Sequence, residues 1–173
     1  MLKVALKMEL LIQEMSELDA VKILFWQYSP PYDWYNLEGC EECVDEMLEE
    51  KYYVGKAENG NLIGFYCYRA SAQVVKGKEL GFYEDDSYLD IGLGMNPLCC
   101  GKGLGSEFLR AGMLFAKEQF QVMKFRLTVA EFNVRAIRTY EKVGFSIVGS
   151  FVRQNVKDQT TFYVMICELN EKN

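Results

Sequence analysis

The chain has 173 residues, with 25 Asp and Glu against 19 Lys and Arg and no His, for a formal net charge of −6. That balance disfavours a role in holding nucleic acid, whose phosphates would meet net repulsion. Half of the residues are hydrophobic and 14% are aromatic, enough to bury a core and too much for a disordered chain, and the length suits one domain over 1–173. No apolar run approaches the roughly 20 residues that span a bilayer. The alternation from Met1 to Lys7 reads as a first strand and not as a signal peptide, so the expected location is the cytoplasm.

In chain order, the pattern predicts a strand over Lys3–Leu11 and a helix from Glu17 to about Gln27. A rigid aromatic loop, Tyr28 to Tyr35 with Pro30 and Pro31 inside it, precedes an acidic helix around Glu41–Glu50. Glu38, Glu41, Glu42, Asp45, Glu46, Glu49 and Glu50 follow one another with no Lys or Arg between them. This run reads as a solvated helix face or, alternatively, as an attraction for a cationic amine. Tyr52–Ala57 and Leu62–Arg69 form a predicted hairpin around Glu58-Asn59-Gly60-Asn61, and the polar stretch Val75–Ser87 reads as a loop. Tyr88–Met95 is the next strand, followed by a glycine-rich turn and a long helix whose Leu104, Phe108, Ala111 and Phe115 share one face. A strand over Lys124–Ala130 leads to a helix over Val134–Val143, with Asn133 placed to cap its start and Gly144 its end. Phe145–Arg153 and Thr161–Leu169 close the chain as an antiparallel pair.

The six cysteines, Cys40, Cys43, Cys67, Cys99, Cys100 and Cys167, form neither a disulfide framework nor a zinc pattern. Cys40-x-x-Cys43 has no second pair and no His to complete a metal site, so reduced thiols and no metal are expected.

The turn Asn96-Pro97-Leu98-Cys99-Cys100-Gly101-Lys102-Gly103-Leu104-Gly105 lies between strand and helix, where free first-turn N–H groups and the helix dipole favour a phosphate. A dinucleotide fingerprint would need glycine where Ser106 stands, and a P-loop would need Ser or Thr where Gly103 stands. The order of strand, x-G-K-G-x-G turn and long helix instead resembles the acyl-CoA-binding motif of the GNAT acyl-CoA N-acyltransferase superfamily. Asn133 to Phe145 resembles that family's N-x-x-A-x-x-x-Y-x-x-x-G-F segment, in the same order and at about the same separation.

The resemblance implies an α/β fold with a mixed, mostly antiparallel sheet of about seven strands and helices on both faces. It implies an acyl-pantetheine arm inserted between splayed strands that carry Asp90 and Val129, with acetyl-CoA as cosubstrate. The expected cofactor contacts are Leu93, Gly94 and Met95 on the strand, Cys100, Gly101, Lys102, Gly103, Leu104, Gly105 and Ser106 in the turn, and Asn133 and Tyr140 beyond. Cys100 stands where the family usually has Arg or Gln; because its contacts there are mostly backbone N–H bonds, the change should weaken binding without abolishing it. An exposed final strand often pairs between subunits in this fold, so a homodimer is among the arrangements it allows.

Acyl transfer to an amine needs a polarised carbonyl, an uncharged nitrogen and a proton for the leaving thiolate. The resemblance places a carbonyl-polarising N–H near Gly94, although Gly92 and Gly94 read equally as a kink for packing. A lysine-like amine costs roughly 4–5 kcal/mol to deprotonate at pH 7. With no His in the chain, a carboxylate is the natural base. Asp90, on the same alternating face as Gly92 and Gly94, and Glu131 are the candidates. Tyr140 matches the family's general-acid tyrosine, and also fits a core aromatic beside Ala136, Ile137 and Val143. Tyr28, Tyr32, Trp34 and Tyr35, with Glu131, are the expected acceptor-binding residues, through cation–π contact or simple packing. The expected activity is direct N-acetyl transfer from acetyl-CoA to a primary amine within a ternary complex. A non-catalytic acyl-CoA-binding module and an O-acyltransferase remain as alternatives.

Overall fold

A computed structural model of the chain describes residues 9–37, 40–155 and 158–170. Its strands are β1 (Leu10–Glu14), β2 (Tyr53–Ala57), β3 (Leu62–Tyr68), β4 (Leu89–Met95), β5 (Lys124–Ala130), β6 (Ser146–Gln154) and β7 (Gln159–Glu168). Its α-helices are α1 (Glu17–Leu24), α2 (Glu41–Glu49), α3 (Val75–Glu79), α4 (Gly105–Phe120) and α5 (Val134–Val143), and a single 3-10 turn covers Tyr32–Tyr35 in the aromatic loop. The strand expected from Lys3 is seen only as β1, since residues 1–8 lie outside the described ones. The stretch Val75–Ser87, expected as a loop, opens with α3.

The strands form one seven-stranded sheet in the order β1-β2-β3-β4-β5-β7-β6. Every neighbouring pair is antiparallel except β4 and β5, which run parallel. Local chemistry sets several of these boundaries. Ser16 and Asp19 form a reciprocal capping box at the start of α1. The Asn133 side chain accepts from the Ala136 N–H at the start of α5, and Gly144 (φ 118°) ends that helix in a conformation that side chains resist.

Helices cover both faces. On one, α4 buries Phe108, Leu109, Gly112, Met113 and Ala116, a stripe rotated from the expected Leu104, Phe108, Ala111 and Phe115. The rotation follows from two tyrosines of β3: Tyr66 and Tyr68 donate their hydroxyls to the Phe108 and Gly112 carbonyls at 2.8 and 2.9 Å. A Cβ on Gly112 would collide with the Tyr66 ring, so glycine lets helix and sheet approach. On the other face α1 and α2 pack Ala20, Ile23 and Met47 over Val54 and Cys67. Burial in these apolar surroundings pushes the Cys67 thiol up to about 12. Cys40 caps α2 and Cys43 lies one turn in; their Cα atoms are 5.3 Å apart and their sulfurs are bonded, correcting the expectation of reduced thiols at both. Cys67, Cys99, Cys100 and Cys167 are free.

Asp19 ties α1 to the sheet. It is 2% exposed and meets the Lys56 Nζ of β2 at 2.9 Å. Burial works to raise its pKa, but hydrogen bonds from Lys56 and Ser16 outweigh it and hold the carboxyl below the ordinary aspartate value. A carboxyl depressed on folding contributes stability above its unfolded pKa, and that contribution is lost as pH falls through the folded value. Asp19→Ala should lower the unfolding free energy by about 2 kcal/mol at pH 7. In urea titrations the gap between wild type and variant should close as the pH falls below about 4.

Candidate active site

The parallel strands β4 and β5 are paired at two positions, Leu89↔Phe125 and Asp90↔Arg126. Beyond these they diverge, and a cleft of about 620 Å³ opens between Ile91–Met95 on one side and Leu127, Thr128 and Val129 on the other. The fork therefore exposes a run of β4 backbone that a paired strand would have covered. The Asn96 N–H goes to Ile63 O at 2.8 Å, whereas the Met95 carbonyl accepts from the Tyr28 hydroxyl at 2.7 Å. Successive peptide groups of a strand point to opposite edges, so Gly92 and Gly94 turn theirs to β3, and Ile91, Leu93 and Met95 turn theirs to the cleft. Near Gly94 the cleft-facing amides are therefore those of Leu93 and Met95, while the Gly94 amide turns to β3. Gly94 has a steric reason to be glycine: a Cβ there would overlap the Phe65 ring opposite it on β3.

At one end of the cleft lies the turn before α4. Gly101 and Gly103 take φ of 73° and 76°, a region open to glycine, and a Cβ on either would meet nothing within 4 Å. The turn is a shallow open cradle whose backbone a ligand can approach. Of the turn residues, Cys100, Gly101, Gly103, Gly105 and Ser106 line the cleft, and Lys102 and Leu104 do not. Across from the turn, α5 presents Arg135, Arg138, Thr139 and Lys142. Arg138 and Lys142 are one turn apart on an exposed helix face, a spacing that the sequence reading passed over. Arg135 lies close enough to Cys100 for its charge to oppose the rise that burial gives that thiol. The positive charge near Cys100 thus comes from the facing helix. The cradle and these cations fit a pyrophosphate, and the fork fits an extended pantetheine arm.

Tyr140 lines the cleft, and its hydroxyl has no hydrogen-bond partner among the described residues. Burial, with Tyr35 adding to it, raises its pKa well above the ordinary tyrosine value. Asn133 has both ends of its amide engaged: Oδ1 caps α5, and Nδ2 donates to the Tyr35 hydroxyl at 3.2 Å. The far end is walled by rings, among them Tyr28, Tyr32 and Tyr35 of the expected acceptor loop and, unforeseen, Trp26 and Phe65. Trp34 does not line the cleft; it packs against Phe132 and Phe162, and its indole N–H donates to Asp158 at 3.3 Å.

Both carboxylate candidates lie away from the cleft. Asp90 is 4% exposed, bound through both oxygens by Arg126 at 2.6 and 2.9 Å, and also held by Gln73 at 2.8 Å. Glu131 is exposed and accepts from the Tyr163 hydroxyl at 2.6 Å. Glu42, Asp45, Glu46, Glu49 and Glu50 of the acidic run face solvent, while Glu38 and the Glu41 side chain lie outside the described residues.

Residues 13–145 match the model of the acetyltransferase (GNAT) family, and the chain belongs to that family. It is similar to the spermine/spermidine N(1)-acetyltransferase of Bacillus subtilis strain 168, at 28% identity over 65% of this chain and 72% of that one. It is also similar to the aminoglycoside N(6')-acetyltransferase type 1 of Klebsiella pneumoniae, at 34% identity over 53% of this chain and 46% of the relative. A solved GNAT-family acetyltransferase from Bacillus anthracis shares the fold with a TM-score of 0.72, at 16% identity over 94% of this chain and 96% of that one. The chain is accordingly an acetyltransferase, of a family that uses acetyl-CoA.

With Asp90 committed to Arg126, Asp90→Asn should act on folding and not on proton transfer. It leaves a buried guanidinium with its charge unmatched and should cost about 3 kcal/mol in urea unfolding, without altering the shape of the pH–rate profile.

Proposed function

We propose that the chain transfers an acetyl group from acetyl-CoA directly to a primary amine, with both substrates held in the forked cleft. The observation that carries this reading is that the β4 amides of Leu93 and Met95 have no partner strand and face a cleft that the glycine turn and the Tyr140 hydroxyl also line. Bound acetyl-CoA supplies the thioester whose carbonyl carbon bonds to the amine nitrogen as its bond to sulfur breaks. In this reading the cleft-facing amides of Leu93 and Met95 polarise that carbonyl. Gly101, Gly103 and the first turn of α4, with Arg138 and Lys142 opposite, take the pyrophosphate. Tyr140, kept protonated by its burial, donates to the departing thiolate and recovers a proton, through cleft water, from the nitrogen that has become an amide. A covalent route through cysteine is disfavoured because burial raises the pKa of Cys100, and the chain contains no His to activate it.

No carboxylate or His lines the cleft among the described residues, so the amine delivers its first proton to water as it leaves solvent. The rate should then follow the free-base fraction of the amine, with kcat/KM falling about tenfold for each pH unit below the amine's own pKa. Calorimetry with acetyl-CoA, followed by thiol-release assays, tests the reading. Tyr140→Phe should leave acetyl-CoA binding intact and reduce kcat by about 10²-fold. Full turnover in that variant contradicts its role as acid, and absence of acetyl-CoA binding in the wild type contradicts the reading as a whole.

A further inference from the structure

The acceptor end of the cleft has a chemistry of its own. Phe65 lies in the middle of a stack, 5.9 Å from the Tyr52 ring and 6.0 Å from Trp26, with interplanar angles of 29° and 28°. Gly94 admits this stack beside β4, so Phe65 and Trp26 floor the space next to the amides of Leu93 and Met95. Tyr28, Tyr32 and Tyr35 line the same cleft and make an aromatic wall of it. Two of their hydroxyls are already engaged, Tyr28 with Met95 O and Tyr35 with Asn133, so the rings are the main surface offered to a ligand.

Among the described residues, the charged side chains that line the cleft are all cations; Asp33, in the same 3-10 turn as Tyr32 and Tyr35, is exposed and not part of the lining. Arg135 sits over the Tyr32 ring, 4.1 Å from its centroid, so the face that could hold an ammonium already holds a guanidinium. Arg138 and Lys142 are the further cations along the same helix. A polyamine brings additional ammonium groups, each costly to take out of water where the described lining holds no carboxylate, and each repelled by Arg135. A flat apolar body gains from the same surroundings, by area buried and by ring stacking. The cavity of about 620 Å³ must also admit the acetyl-pantetheine arm, which leaves space for a small acceptor.

We propose that the acceptor is a monoamine with an aromatic body on a short alkyl spacer, an arylalkylamine, stacked between the Phe65–Trp26 floor and the Tyr28–Tyr32–Tyr35 wall. This rests on the acetyl-transfer reading and narrows its substrate to a class different from the polyamines and aminoglycosides named for its relatives.

The test is thiol release at saturating acetyl-CoA with tryptamine, 2-phenylethylamine, spermidine and kanamycin as acceptors. The expected result is kcat/KM for the first two at least about tenfold above the others. Trp26→Ala should raise KM for tryptamine about tenfold with a much smaller change in kcat. Calorimetric titration of the CoA-saturated wild type with tryptamine and with spermidine gives the same comparison without a variant, and tryptamine should bind the tighter. Equal or greater efficiency with spermidine or kanamycin, or an unchanged tryptamine KM in a folded Trp26→Ala protein, overturns the arylalkylamine assignment while acetyl transfer stands. Acetyl-CoA binding with no turnover of any acceptor overturns both.

Discussion

The architecture depends on a fork in the sheet, and the fork is pinned by one ion pair. Asp90 and Arg126 are the last residues at which β4 and β5 remain paired, and their side chains meet there through two short hydrogen bonds. Arg126 is also held by the Tyr83 and Asp85 carbonyls and lies 5.1 Å from the Tyr83 ring centroid, while Gln73 closes the other side of Asp90. A buried pair is expensive to assemble and strongly directional once satisfied. Here it sits where two parallel strands must begin to separate, and it defines the point from which β4 offers its peptide groups to the cleft. Side chains placed beyond it, from Leu93 to Tyr140, work on a surface that exists because the strands part.

Packing on either side of β4 turns that fork into a site. Glycines at 92 and 94 let Cys67 and Phe65 of β3 crowd against the strand, and Phe65 brings an aromatic floor up to it. Tyr28 then fastens the aromatic loop to the Met95 carbonyl, and Asn133 fastens Tyr35 to the start of α5. The helix that supplies Tyr140 also supplies Arg135, Arg138 and Lys142, so in the proposed reading one element serves both the reacting end and the phosphate end. Electrostatically the cleft is a local exception in an acidic protein, positive where a pyrophosphate would lie.

Features fixed by local chemistry were legible in the sequence. α5 and its two caps follow from Asn133, Gly144 and the apolar spacing between them, and β5 was bounded by its own composition. The glycine turn was recognisable because the need for positive φ is written in residue type at Gly101 and Gly103. What escaped depends on partners distant in sequence. Asp90 reads as a free strand carboxylate until Arg126, 36 residues later, is brought onto it. Phe65 gave no signal because its role comes from facing a glycine on the next strand. Trp34 looked like its tyrosine neighbours but is turned to Phe132 and Phe162 by the geometry of a single 3-10 turn. The basic residues of α5 were hidden inside a family-like block, and the Cys40–Cys43 bond depends on α2 beginning at Glu41.

The central claim is that the ligand's arm completes the unpaired edge of β4. Amide hydrogen exchange, read residue by residue with and without CoA, addresses it most directly. Gly92 and Gly94, bonded to β3, should be protected in both states, whereas Leu93 and Met95 should exchange freely in the apo protein and slow by at least about tenfold when CoA is bound. Saturation with CoA that left Leu93 and Met95 unchanged would contradict the account, because the cofactor would then lie somewhere other than the fork.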